Sequence, residues 1–258
     1  MSNVAYTSRA GVGRSAAEQQ ARLDLAAAHR LAGLYGWTHL IYNHFTMRVP
    51  GEPQHFLVKP HNERFEEVTA SSLIKVDMTG RSVDGDIDVA ITGVTIHSAV
   101  FEARADINCV MHAHTAVGMA ISAHPKGLLP ITQSAMRFYD RLGYHDYEGV
   151  SLDMDERERL QRDIADHPVL VLRNHGLLAT GRNIAEAFSL TYHFERSAEA
   201  QLKIQAAVAA GGKMVIPSAD TCERQAAQFA GNMPRLQGQR EWPALLRLCD
   251  RLDPSYRT

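Results

Sequence analysis

Asn108-Cys-Val-Met-His-Ala-His114 and Pro168-Val-Leu-Val-Leu-Arg173, the latter running on through Asn174-His175-Gly176 into Leu177-Leu-Ala-Thr180, decide the fold. The first reads as a strand, and the second, a short continuous apolar run, as a buried strand that leads through a turn into a further one. Asn174-His175-Gly176 is a turn between two such strands. Outward from these runs, Thr95 to Arg104 and Ala116 to Ser122 carry apolar residues at helical spacing on either side of the first strand. A charged helix over Asp155 to Ile164 precedes the second run, and a long helix opens at Asn183, with Glu186 three residues on, and ends at Gly211-Gly212. Further toward the N-terminus, Ser15-Ala-Ala-Glu18 has the form of a capping box, and Leu23, Ala26, Ala27, Leu31 and Leu34 continue a helix to Gly36. Ile41 to Val49 and His55 to Lys59 read as strands around Pro50-Gly51-Glu52-Pro53. Thr69 to Leu73 reads as a short capped helix, and Lys75 to Val83 as a hairpin turning at Thr79-Gly80. Strands and helices alternate, while the hairpin-like segments favour a mixed or antiparallel sheet, so the expectation is an α/β domain with helices on both faces. It is bounded as residues 1–14, a loose polar arm; 15–215, the domain; and 216–258, a less regular extension.

Composition narrows the function. The 258 residues are 45% hydrophobic and 22% charged, and 27 Lys+Arg against 29 Asp+Glu leave a net charge of −2. A nucleic-acid binder would show a basic excess, and no apolar run reaches the roughly 20 residues of a membrane-spanning helix, so neither partner is expected. Cys109, Cys222 and Cys249 are odd in number and widely spaced, which implies no disulfide framework and fits a reducing cytoplasm. Histidine is enriched at 13 residues, so that roughly 0.65 His-x-His pairs arise by chance and such a pair means something only in context.

The context is favourable at His112 and His114. Two residues apart on a strand, their side chains leave one face, where two imidazoles can converge on an ion. His175, in the turn at a strand end, could supply a third, and three neutral imidazoles with an open position are the pattern of a catalytic metal site. The competing reading is three unrelated histidines in a histidine-rich chain. Tyr144-His-Asp-Tyr-Glu148 concentrates titratable groups, and His145 is suited to general acid–base work, although an exposed polar loop would look the same. Gly11-Val-Gly13 lacks a preceding strand and the rest of a dinucleotide fingerprint, and no Gly-x-Ser-x-Gly elbow or phosphate-binding loop is present.

Several segments, in order along the chain, together resemble the class II aldolase/adducin family: Ile41-Tyr-Asn-His-Phe-Thr-Met-Arg48, Glu67-Val-Thr-Ala-Ser71, Ile96-His-Ser-Ala-Val-Phe101, Arg104 to His114, Gly127-Leu-Leu-Pro130, Tyr144 to Gly149 and Leu172-Arg-Asn-His-Gly-Leu-Leu178. The resemblance spans roughly Glu18 to Val208. It implies a three-layer α/β/α fold around a largely antiparallel sheet, a homotetramer, and a divalent metal, usually Zn2+ with Fe2+ or Mn2+ as alternatives, on His112, His114 and His175. In the family's sugar-phosphate aldolases a glutamate four residues before the helix histidine, here His97, shuttles the proton; this chain has Gly93 there, between Thr92 and Val94. The family's phosphate pocket has a Thr-Gly turn after the strand proline, where this chain has Pro60-His61-Asn62, and Thr46 stands where a serine is usual. The resemblance to the adducin-head branch leaves two readings. One is a lyase acting on a small hydroxy- or oxo-acid, by aldol cleavage or decarboxylation through a metal-stabilised enolate. In it Tyr144 and His145 are catalytic candidates, and Asn43, His44, Arg48, Lys59 and Thr92 are candidate substrate contacts. The other is an adducin-like binding module without catalysis.

Overall fold

The computed structural model describes residues 13–83, 85, 87–149, 155–230 and 237–258; most of the expected N-terminal arm lies outside these residues. Seven strands, β1 (His44–Val49), β2 (Glu52–Val58), β3 (Ile74–Asp77), β4 (Cys109–Ala113), β5 (Leu142–His145), β6 (Val169–Leu172) and β7 (Gly176–Gly181), form one sheet in the order β3-β2-β1-β4-β7-β6-β5. Every neighbouring pair is antiparallel except β5 with β6. The helices among the described residues are α1 (Ala16–Leu34), α2 (Ile91–Ala103), α3 (Ala116–Ser122), α4 (Gln133–Met136), α5 (Glu156–Ile164), α6 (Ile184–Ala209), α7 (Ala219–Ala230) and α8 (Trp242–Leu252).

Side-chain alternation splits the core into two layers. Val110, Leu170, Leu172 and Leu178 point to one side and pack with Val94, Val100, Phe101, Leu160 and Ile164 of α2 and α5. Cys109, Met111, Val169, Val171, Leu177 and Ala179 point to the other, where α1, α3, α4, α6 and α8 cover them. Over β4, β6 and β7 both faces of the sheet are therefore dry, which is why these strands read as continuous apolar runs rather than alternating ones. The result is a three-layer α/β/α arrangement.

Local chemistry explains the helix starts. Ser15 caps α1 by accepting the Glu18 amide, and Asn183 caps α6 by accepting the Glu186 amide at 3.0 Å. Glu18, however, does not complete the expected capping box. Its buried carboxylate accepts from Arg22 at 2.9 Å and Lys75 at 3.1 Å, tying α1 to β3.

The chain departs from expectation in four places. Thr69–Ser72 is a side-chain-bonded turn rather than a helix; the Thr69 hydroxyl accepts the Ser72 amide, and the one-turn helix sits earlier, at Phe65–Glu67. Beyond the Thr79-Gly80 turn the second hairpin arm is reduced to a bridge between Val76 and Ser82. Leu142 to His145 forms the strand β5 on the sheet edge. The described part of the C-terminal extension holds α7, α8 and a one-turn helix at Pro254–Arg257, and Trp242 of α8 is buried against the α1 layer with its indole N–H donating to Asp24 at 3.0 Å.

A buried histidine on α1 makes stability pH-dependent. His29 is fully buried between Phe45 and Phe65, its Nδ1 donating to the Leu25 carbonyl at 2.8 Å. Burial holds its pKa down at about 3, against the opposing pull of that hydrogen bond. The unfolded chain takes up this proton below about pH 6.5 and the folded chain does not. The contribution to stability is thus complete above pH 6.5 and lost as pH falls toward 3, at about 1.4 kcal/mol per unit. In urea unfolding, His29→Phe is expected to lose about 2 kcal/mol less than wild type between pH 7 and pH 5; equal losses would contradict the assignment.

Candidate metal centre

Strand geometry brings His112, His114 and His175 together at one edge of the fold. His112 is the penultimate residue of β4, His114 follows its end, and His175 sits in the β6–β7 turn. Asn174, before it, has φ +55°, a left-handed conformation that asparagine tolerates better than most residues. Gly176 opens β7 against the end of β4, where a Cβ would stand 2.5 Å from the Ala113 carbonyl oxygen. Only glycine allows that approach.

The three Nε2 atoms face one another: 2.7 Å separates those of His112 and His114, and 2.9 Å those of His114 and His175. These are the histidines, among the described residues, grouped closely enough to hold a metal ion. His112 Nδ1 lies 2.9 Å from the Leu177 carbonyl, which can only accept, so this ring carries its hydrogen on Nδ1 and presents a bare Nε2. Burial, followed by the neighbouring imidazoles, pushes the His112 pKa well below its ordinary value, and the same causes bring His114 to about 4. Burial also lowers that of His175. Neutral imidazoles with lone pairs pointing inward are a donor set suited to a divalent cation.

Behind the triad lies a file of buried rings. His44 pairs with His112 across β1 and β4, and its ring stacks on His112 at 5.4 Å between centroids. His97 of α2 meets His44 edge-on at 5.7 Å, and its Nδ1 lies 2.6 Å from the Thr46 hydroxyl. The space beside Gly93 is filled by His44: a Cβ at Gly93 would stand 2.9 Å from its Cγ and 3.1 Å from its Nδ1. An imidazole, not a carboxylate or an apolar plug, occupies the place where the resemblance implies a glutamate.

His145 lies on the same side of the sheet. It lines a narrow crevice with Ile96, Tyr147, Glu156, Arg173 and His175. Its Nδ1 is 2.8 Å from the Asp163 carboxylate, and its buried Nε2, without a hydrogen bond among the described residues, is 3.5 Å from Glu156. Tyr147 presents its ring to His175 at 6.0 Å.

The other sequence candidates are placed as follows. Tyr144 leaves the opposite face of β5, packs with the α3–α4 layer under the Arg173 guanidinium, and does not join His145. Arg48 is at the far end of β1 from His44, donating to the carbonyls of Ile107, Pro53 and Phe101. Lys59 donates to the carbonyls of Pro60, His61 and Glu63, and burial lowers its pKa to about 8. Neither cation is directed at the triad. Asn43 is buried and bonded to main chain, bridging Trp37 and His114. Thr92 is half-buried in the first turn of α2 beside Gly93. His39, against His114, and Tyr147 are neighbours of the triad that residue spacing does not single out, because loop paths bring them there.

Residues 23–202 match the family described as the Class II Aldolase and Adducin N-terminal domain. The chain belongs to this family. It is similar to an aldolase II superfamily protein from Pseudomonas syringae, with 42% identity, a TM-score of 0.88 and coverage of 95% of this chain and 97% of that one. An L-fuculose 1-phosphate aldolase from Glaciozyma antarctica superposes with a TM-score of 0.82 at 25% identity, covering 93% of each chain. Mouse alpha-adducin is 39% identical over 93% of this chain, a match spanning 34% of the adducin.

The packing of His44 on Gly93 gives a stability test. Gly→Ala inside a helix ordinarily stabilises by about 1 kcal/mol. Here Gly93→Ala is expected to destabilise by about 1–3 kcal/mol through overpacking, and the sign should revert in a His44→Ala background. Urea titration of the four proteins measures both.

Proposed function

We propose that the protein is a metal-dependent lyase acting on a small hydroxy- or oxo-acid. The observation that carries this reading is the convergence of three Nε2 atoms, one with its tautomer fixed by the Leu177 carbonyl. His112, His114 and His175 would hold the ion, Zn2+ first with Fe2+ or Mn2+ as alternatives. A bound divalent ion supplies Lewis-acid stabilisation of negative charge on a substrate oxygen.

The chain's own residues suit decarboxylation best. Breaking the bond to a carboxylate releases carbon dioxide and leaves an electron pair on carbon, without any base removing a proton beforehand. A proton must then be returned to that carbon, and His145 is the group for it, its Nδ1 anchored by Asp163 and its Nε2 facing Glu156 in the crevice that His175 also lines. His44, packed into the Gly93 space, keeps water from the back of His112. Retro-aldol cleavage of a sugar phosphate asks more, since a group must shuttle the hydroxyl proton and a cationic pocket must hold the phosphate. Gly93 offers no side chain for the first, and Arg48 and Lys59 are bonded to carbonyls.

Wild-type protein is expected to retain about one divalent ion per chain, and His112→Ala to lose both the ion and turnover of small carboxylates. His145→Ala should retain the ion and lose about 10²-fold in kcat. Elemental analysis and a screen of hydroxy- and oxo-acids, with L-fuculose 1-phosphate as the expected non-substrate, measure these outcomes. Efficient cleavage of the sugar phosphate overturns the reading.

The second reading, a non-catalytic adducin-like module, is favoured by the similarity to alpha-adducin over 93% of this chain together with Gly93. Bound metal without turnover of any tested acid selects it. A homotetramer is proposed for either reading, with light scattering expected to give four times the 28.6 kDa chain mass. Placement in a reducing cytoplasm is supported by three cysteines that are free and buried. Among the described residues no helix is long and apolar enough to cross a membrane.

A further inference from the structure

The loop of residues 37–43, between α1 and β1, grips His114 at two points. The Asn43 side chain, buried at 1% exposure, donates to the Trp37 carbonyl at 2.5 Å and accepts the His114 amide at 3.1 Å, tying loop to strand end. His39 then lies against the outer edge of the His114 ring, with 3.3 Å between the two Nδ1 atoms and the ring planes at 75°. Leu40, at φ +49°, turns the chain directly after it, and Tyr42 meets the His39 ring edge-on at 5.9 Å. His39 is itself exposed, so no core packing requires an imidazole there.

An imidazole that ligates through Nε2 keeps its hydrogen on Nδ1, and that hydrogen needs an acceptor which fixes both tautomer and ring orientation. For His112 the acceptor is the Leu177 carbonyl. For His114 the hydrogen-bond partner of Nδ1 among the described residues is His39 Nδ1. That nitrogen accepts when His39 carries its own hydrogen on Nε2.

We propose that His39 is a positioning residue of the metal centre, accepting the His114 Nδ1 hydrogen and so aiming the His114 Nε2 lone pair into the triad. The proposal rests on the metal reading of that triad. It needs no contact between His39 and the ion, whose three nitrogens lie on the opposite side of the His114 ring.

The test is a chelator-competition titration of the full chain with Zn2+. His39→Ala and His39→Phe are both expected to weaken binding by about 10–100-fold, the usual cost of removing such a partner. His39→Asn, whose carboxamide oxygen can take the place of Nδ1, should bind within a few-fold of wild type. His39→Phe keeps a ring against Tyr42 but has no acceptor, so it separates the hydrogen bond from packing. Melting temperatures of the metal-free proteins should agree, since the position is exposed. Wild-type affinity in His39→Ala or His39→Phe would overturn the role of His39 alone. A wild-type chain that takes up no Zn2+ would overturn the metal reading beneath it.

Discussion

Everything at the triad depends on how closely the first residue of β7 can approach the last residue of β4. Ladder pairing of Ala113 with Leu177 requires Gly176 to pass over the Ala113 carbonyl with no side chain. That pairing puts His175 beside His114, and it sets the Leu177 carbonyl opposite the His112 ring. The same strand pair is clamped on both sides, by β1 and by β6, so an error in register would move the imidazoles to opposite faces of the sheet. The site is a by-product of sheet register more than of loop conformation, which favours ligand positions held to within fractions of an ångström.

Burying so many imidazoles has an electrostatic logic. A charged ring inside the α2 layer would need a partner anion, and the groups that meet His44, His97 and His112 are other imidazoles and the Thr46 hydroxyl, with the Lys59 cation adding to the repulsion at His44. The rings therefore stay neutral; His97, for instance, is held by burial at about 3. His145 differs because two carboxylates face it, Asp163 at 2.8 Å from Nδ1 and Glu156 at 3.5 Å from Nε2. The region thus has a neutral half suited to binding a cation and an acid-paired half suited to handling a proton.

How much of this was legible beforehand follows from what each feature depends on. Runs such as Val169 to Leu172, buried on both faces, announce themselves by composition, and Asn183 and Ser15 by capping chemistry. Strand β5 does not, because Leu142-Gly-Tyr-His145 has neither a continuous apolar run nor a clean alternation. It becomes a strand through parallel pairing with β6. Helix α8 is amphipathic, but its apolar stripe acquires meaning only when Trp242 and Cys249 meet α1. At the site, spacing put His112 and His114 on one face and the turn suggested His175. Nothing local could reveal that His44 would fill the Gly93 space, since that contact joins β1 to α2 across nearly fifty residues. Arg48 and Lys59 looked like anion contacts by charge alone; the carbonyls of Ile107 and Phe101 that hold Arg48 come from distant segments, whereas Lys59 is turned onto the carbonyls of the loop directly after it.

The contact between Gly93 and His44 also bears on descent. A side chain long enough to carry a carboxylate cannot be introduced at position 93 while the imidazole is there, and removing the imidazole alone leaves a hole beside His112. A lineage moving between a chain like this one and one with an acid in that helix must alter both positions, and either single change passes through a less stable protein. Such a two-step barrier isolates sequences on each side of it. The glycine and the histidine should therefore be inherited together.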